Sequence, residues 1–331
     1  MASVSEGTIP SVPLPKRLGR LHQVDRLGIG GFSSVWLYRD DELRSDVAVK
    51  ALADNWAQRE DVRERFLEEA RILRAADSDH VVRVYDIGEV DETPYFVMTY
   101  ADRGTVADLL DEGRVSLERT VALVRQAGDG LEVLHGRGVV HRDIKPQNLL
   151  LASDGLGRER LMVADLGVAK ALIHASGLTD VVGTPAYMAP EQALGGGIDE
   201  RADVHGLAAV AYHLLTGHVA RNGGVTDLVH ASLPPAPSVF LPVTPEVDAA
   251  ILRGLEPDRE NRWPDVRSFV DALSACAPDA GTTYGGLDQR GSAAGRRGKA
   301  ENQVMVVLAV WCLVVAVAMF GASWAAVSLL R

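Results

Sequence analysis

The chain runs to 331 residues, enough for one large two-lobed domain or two small ones with appendages. Acidic residues exceed basic ones by 45 to 34, a net charge of −11, which excludes a domain that works by neutralising nucleic-acid phosphates. The two cysteines, Cys276 and Cys312, with no CxxC and no neighbouring His cluster, exclude a disulfide framework and a zinc site and fit a reducing compartment.

Residues 1–18 mix Ser, Gly and Pro without the apolar core of a signal peptide, and predict a flexible leader. From Leu21 to about Tyr38 the pattern is strand, turn, strand, and the turn holds Gly28, Gly30 and Gly31. These glycines permit close backbone approach, so a phosphate chain can lie under N–H groups, with Leu27 and Val35 flanking a flat apolar base. Ser33 replaces the third glycine of GxGxxG and no GK[ST] follows, so the turn alone also fits a plain glycine-rich hairpin. Residues 46–50, DVAVK, form a β-run ending in Lys50, the VAxK arrangement in which the ammonium reaches nucleotide phosphates. Only five lysines stand among the 34 cations, so each is informative. Residues 60–76 supply a helix whose Val62, Phe66 and Leu73 share a face with Glu69, while Glu68 points about 100° away. A lone acid on a buried stripe needs a cation, which makes Glu69 the partner of Lys50.

Strand patterns follow over Val81 to Ile87 and Tyr95 to Tyr100 around the turn-like Asp91 to Pro94, then helical patterns at Thr105 to Asp111 and Leu117 to His135. Gly138, Val139 and Val140 read as a short buried strand before HRDIKPQN, which packs Asp143, Lys145 and Asn148 into six residues. Leu149 to Leu151 and Leu161 to Val163 read as a hairpin, followed by Asp165-Leu166-Gly167 and, at 189–191, Ala-Pro-Glu. With these motifs in this order, residues 20–275 resemble the eukaryotic-like (Hanks-type) Ser/Thr protein kinases, most closely the bacterial membrane-anchored branch.

The resemblance implies an α+β bilobal protein kinase fold over 19–276, a small β-rich N-lobe and a helical C-lobe, using ATP and Mg2+, with Mn2+ as an alternative, on protein substrates. Asp143 would orient and deprotonate the substrate hydroxyl, Lys145 is the Ser/Thr-type feature, and Asn148 and Asp165 would hold the metal. Leu27, Gly28, Gly30, Gly31, Val35, Ala48, Met98 as gatekeeper, Thr99, Ala101 and Leu150 would surround the nucleotide, with Thr99 where the family often has an acid. Leu166 replaces phenylalanine in a stack with His141 and Leu73. In the activation segment, Thr179 ranks first and Ser176 second as phosphate acceptors that could pair with Arg142, while Thr184 shapes the substrate groove and bridges Asp143 and Lys145. Asp203 opens an apolar helix, and Arg262 pairs with Glu191 as structural elements. A pseudokinase scaffold would lack Lys50, Asp143 or Asp165, and a small-molecule kinase would lack the GTPAYMAPE segment.

Residues 277–303 turn small and polar with Arg290, Arg296, Arg297 and Lys299 near the end, a linker with a basic finish. Residues 304–330 are 27 positions without a charge, where about 20 suffice to cross a bilayer, and predict one transmembrane helix. The cationic flank lies on the kinase side, so the kinase is expected in the cytoplasm and the C-terminus at the outer face. Gly321 and Ala325 form a small-xxx-small pair, a possible homodimer seam.

Overall fold

In the computed structural model, residues 14–167, 185–194, 196–221 and 232–277 are described. They belong to a unit spanning Met1–Tyr284; a second unit, Gly285–Arg331, lies wholly outside them, as do Ser176, Thr179 and Thr184. Among the described residues no helix is long and apolar enough to cross a membrane.

Period-two alternation builds the small lobe. Strand β3 (Ser33–Asp40) buries every second side chain, and β4 (Ser45–Leu52) is buried from Val47 onward. With β1 (Arg17–Leu18), β2 (Leu21–Ile29), β5 (Val84–Val90) and β6 (Thr93–Thr99) they form an antiparallel sheet in the order β1-β2-β3-β4-β6-β5. Register shifts on either side of Arg26 bend β2 as it approaches the glycine turn.

Three details differ from the sequence reading. The end of the expected leader is part of the sheet: Leu14 is 2% exposed, Leu18 is buried beside Trp36, Tyr38 and Val49, and the Tyr38 hydroxyl donates to the Pro15 carbonyl at 2.8 Å. The folded body therefore starts before residue 19, because the outer face of β3 and β4 is apolar and needs a cover. Strand β5 begins at Val84 rather than Val81, which instead forms an isolated parallel bridge with Val163. Its turn is only Asp91-Glu92, both at positive φ as mirror-image hairpin turns require, so Pro94 sits inside β6. Finally, 138–140 is not a strand. Gly138, at φ 73°, ends α4 (Leu117–His135), and Val139 N–H returns to the Leu134 carbonyl.

Helix α1 (Asp54–Ala57) leads into α2 (Glu60–Ala75), which buries Val62, Phe66, Glu69, Ala70 and Leu73 and leaves Glu68 to pair with Arg71 on the surface. The large lobe starts at α3 (Val106–Asp111), capped by a Thr105/Asp108 box, and places the hairpin β7 (Leu149–Ser153)/β8 (Glu159–Val163) beside the catalytic stretch. Past α5 (Pro190–Leu194), helix α6 (Arg201–Thr216) is buried along nearly its whole length. A Cβ at Gly206 would come within 2.9 Å of Ile144, so glycine is what lets α6 pass directly under the HRDIKPQN segment. Helices α7 (Pro245–Gly254) and α8 (Val266–Ala275) close the lobe. Arg262, fully buried, makes a two-pronged pair with Glu191 at 2.7 and 2.8 Å.

Two buried histidines set an acid limit. Burial pushes the His141 imidazole below its ordinary value, and burial together with Arg221 and Arg262 pushes His205 on α6 well below it. The unfolded chain protonates both near ~6.5, so their contribution is complete above that pH and is lost as pH falls through it. We expect the unfolding free energy from urea titrations to drop between pH 7.5 and 5.5, with a slope of at most ~1.4 kcal/mol per pH unit for each histidine. A free energy flat across that window would contradict neutral burial.

Candidate active site

The register of the sheet delivers Lys50 to the cleft. On β4 it lies opposite Val35 on one side and Phe96 on the other, with its ammonium 5.5 Å from the Phe96 ring and 5.9 Å from Phe66. Its Nζ donates to Glu69 Oε1 at 2.7 Å and to Asp165 Oδ1 at 2.8 Å. Burial pushes the lysine pKa down, but the Asp165 and Glu69 carboxylates outweigh it and hold the ammonium above its ordinary value. The lysine and Glu69 side chains are 6% and 3% exposed while Asp165 is 38% exposed, so the triad opens toward the cleft through Asp165.

The second cluster centres on Asp143. Lys145 Nζ lies 3.0 Å from Asp143 Oδ2, and the Asn148 amide N–H2 donates to the Asp143 carbonyl at 2.8 Å and to Oδ2 at 2.9 Å. With its nitrogen so engaged, Asn148 has its amide oxygen as the group to offer a cation. A carboxylate at Asp165 and this amide are hard oxygen donors suited to Mg2+. Among the described residues no group of three or more His, Cys, Asp or Glu could hold a metal by itself.

The backbone of the loop is held by residues that sequence reading had treated as structural or passed over. Arg142 (φ 66°) and Asp165 (φ 61°) both adopt the left-handed region, which costs about 1–3 kcal/mol each. Asp203, at the head of α6, accepts the His141 N–H on Oδ2 and the Arg142 N–H on Oδ1, each at 2.8 Å, and His135 Nε2 meets Oδ2 at 2.8 Å. Gln192 donates to the Arg142 carbonyl at 2.7 Å, and His141 Nε2 lies 3.0 Å from the Ala164 carbonyl. The available signal for Asp203 was a lone acid opening an otherwise apolar helix. His135 and Gln192 left none, since their partners come from distant chain segments.

Around the expected nucleotide position, Ala48 pairs with Met98 across β4 and β6, both buried, while Val35 and Leu150 are half-buried and Leu27 is 40% exposed at the rim. Gly28 faces Val35, and the Gly30 N–H donates to the Ser33 carbonyl at 2.8 Å, closing the turn that contains Gly31. Thr99 commits its N–H to the Arg83 carbonyl, so its remaining backbone group is the carbonyl, and Ala101 follows in the link between lobes. The Thr99 hydroxyl, where an acid is common, lies 3.2 Å from the Tyr85 hydroxyl. Leu73, His141 and Leu166 are all buried. The Arg142 side chain is exposed.

Comparison with known proteins places this geometry. The family model for the protein kinase domain matches residues 21–231. Serine/threonine-protein kinase Pkn1 of Myxococcus xanthus is 35% identical over 280 residues, covering 82% of this chain and 40% of the relative. PknB of Mycolicibacterium smegmatis is 35% identical over 251 residues, 72% of this chain and 40% of that protein. The chain thus spans about 40% of the length of these curated relatives. Among solved structures, the kinase domain of Mycobacterium tuberculosis PknI superposes with a TM-score of 0.62 at 26% identity, covering 83% of this chain and 100% of that one. On this match and on that of its relatives, the chain belongs to the protein kinase family, in the eukaryotic-like Ser/Thr group found in bacteria.

Proposed function

We propose that the chain transfers the γ-phosphoryl group of ATP to Ser or Thr hydroxyls of protein substrates. The observation that carries this is the buried ammonium of Lys50 bridging Glu69 and Asp165, with Asp143, Lys145 and Asn148 assembled alongside. Lys50 holds the α- and β-phosphates, and Glu69 fixes its reach. Asp143 orients the acceptor hydroxyl and takes its proton, and the Lys145 ammonium next to it offsets negative charge on the transferring group. Asn148 and Asp165 are the ligands for Mg2+, with Mn2+ as the alternative; the bound cation would neutralise charge between the phosphates. Leu27, Val35, Ala48, Met98, Ala101 and Leu150 form the apolar walls for the base. Thr179, then Ser176, are the proposed autophosphorylation sites, whose phosphate would pair with Arg142, and Thr184 is the proposed groove residue.

The membrane anchor is also a proposal. Its support is the uncharged run 304–330 with a cationic flank on the kinase side, which orients the kinase to the cytoplasm; Gly321 and Ala325 would be the seam of a homodimer.

Asp143→Asn, nearly isosteric, is expected to fold and to lose transfer by about 10²–10⁴-fold, read with radiolabelled ATP. Wild-type rates in that variant would sink the assignment. Phosphopeptide mapping of the active chain should place phosphate on Thr179 or Ser176. Deleting residues 304–331 should move an active enzyme from the membrane pellet to the supernatant, and a truncated chain still in the pellet would contradict the anchor.

A further inference from the structure

The tip of the glycine turn is tied to the segment that leads into α2. Trp56, half-buried in α1, donates its indole N–H to the Gly31 carbonyl at 2.9 Å, and the Phe32 ring packs on the indole with centroids 5.2 Å apart at 44°. The Ala53 N–H donates to the Phe32 carbonyl at 2.9 Å. The Arg59 guanidinium, itself paired with Asp61, stands 5.8 Å from the centroid of the Trp56 ring. Two consecutive carbonyls of the tip therefore point toward the start of the α1 segment. In a planar trans peptide the N–H points opposite to the carbonyl that shares its plane. The N–H groups of Phe32 and Ser33 are thus aimed away from α1.

We propose that Trp56 is the residue that positions the glycine turn for nucleotide phosphates and couples that turn to the helix carrying Glu69. The inference rests on the reading of the chain as an ATP-dependent kinase. A glycine-rich tip is entropically loose, and donors that must be ordered on binding cost affinity. Trp56 orders them beforehand through one side chain. Only Gln58 and Arg59 separate α1 from α2, so a phosphate grip that shifts the tip also pulls on the helix that presents Glu69 to Lys50.

The test uses the full-length chain in detergent, titrated with Mg2+ and a non-hydrolysable ATP analogue by calorimetry and by intrinsic fluorescence. Trp56→Phe keeps a ring for Phe32 but removes the indole N–H; we expect its Kd for the analogue to rise about fivefold, the scale of one lost hydrogen bond. Trp56→Ala, which also removes the ring, should weaken binding further. The analogue should change wild-type fluorescence, and that change should vanish in Trp56→Phe although Trp36, Trp263, Trp311 and Trp324 remain. Wild-type Kd in Trp56→Phe, or an unaltered fluorescence change, would overturn the proposal. So would a lowered unfolding temperature with Kd untouched, the signature of a structural residue. If the wild-type chain binds the analogue through Trp56 but transfers no phosphate to protein, the kinase reading fails and the Trp56 assignment stands.

Discussion

Lys50 carries its charge in a position almost closed to solvent, and it can do so only because two carboxylates from separate elements converge on it. One comes from α2, the other from the turn after β8. An unpaired ammonium there would deprotonate or unfold the site, and removing one partner of a buried pair typically costs about 3–5 kcal/mol. The pair therefore fixes how α2 sits on the sheet, and the contact with Asp165 fixes how the large lobe meets the small one. Because Asp165 stays over a third exposed, the same cluster that stabilises the lobes presents an oxygen to the cleft.

The chemistry on the other side of the cleft depends on backbone rather than charge. Arg142 and Asp165 hold a conformation that L-residues avoid, and they hold it because carbonyl and N–H groups of the loop have committed partners. Asp203 supplies two of these bonds from a helix with no exposed face to spare. Gly206 lets that helix approach Ile144 closely enough for Asp203 to reach the loop. The large lobe thus acts as a rigid base under Asp143, while the small lobe brings Lys50 and the glycine turn from above.

Much of this was legible in the sequence where the signal was local. The helical period alone separated Glu69 from Glu68, and the structure buries the first and exposes the second. The six-residue run from Asp143 to Asn148 folds on itself, so Asp143 meets Lys145 and Asn148 within the motif. What could not be read depends on distant contacts. Leu14 and Leu18 look like leader composition until the apolar outer face of β3 and β4 is known. Val139 and Val140 have strand-like side chains but follow a left-handed glycine that ends a helix. Trp56 and Gln192 form their bonds across 25 and 50 residues, with no spacing rule to announce them.

The central claim is that Lys50 and Glu69 act as one unit in phosphoryl transfer. A double-mutant cycle with Lys50→Met, Glu69→Gln and both together, read as kcat/KM for ATP, tests it most directly. The account predicts that the double variant is no slower than Lys50→Met alone, because Glu69 acts on the phosphates through the lysine. Losses that multiply, each residue failing independently of the other, would contradict it.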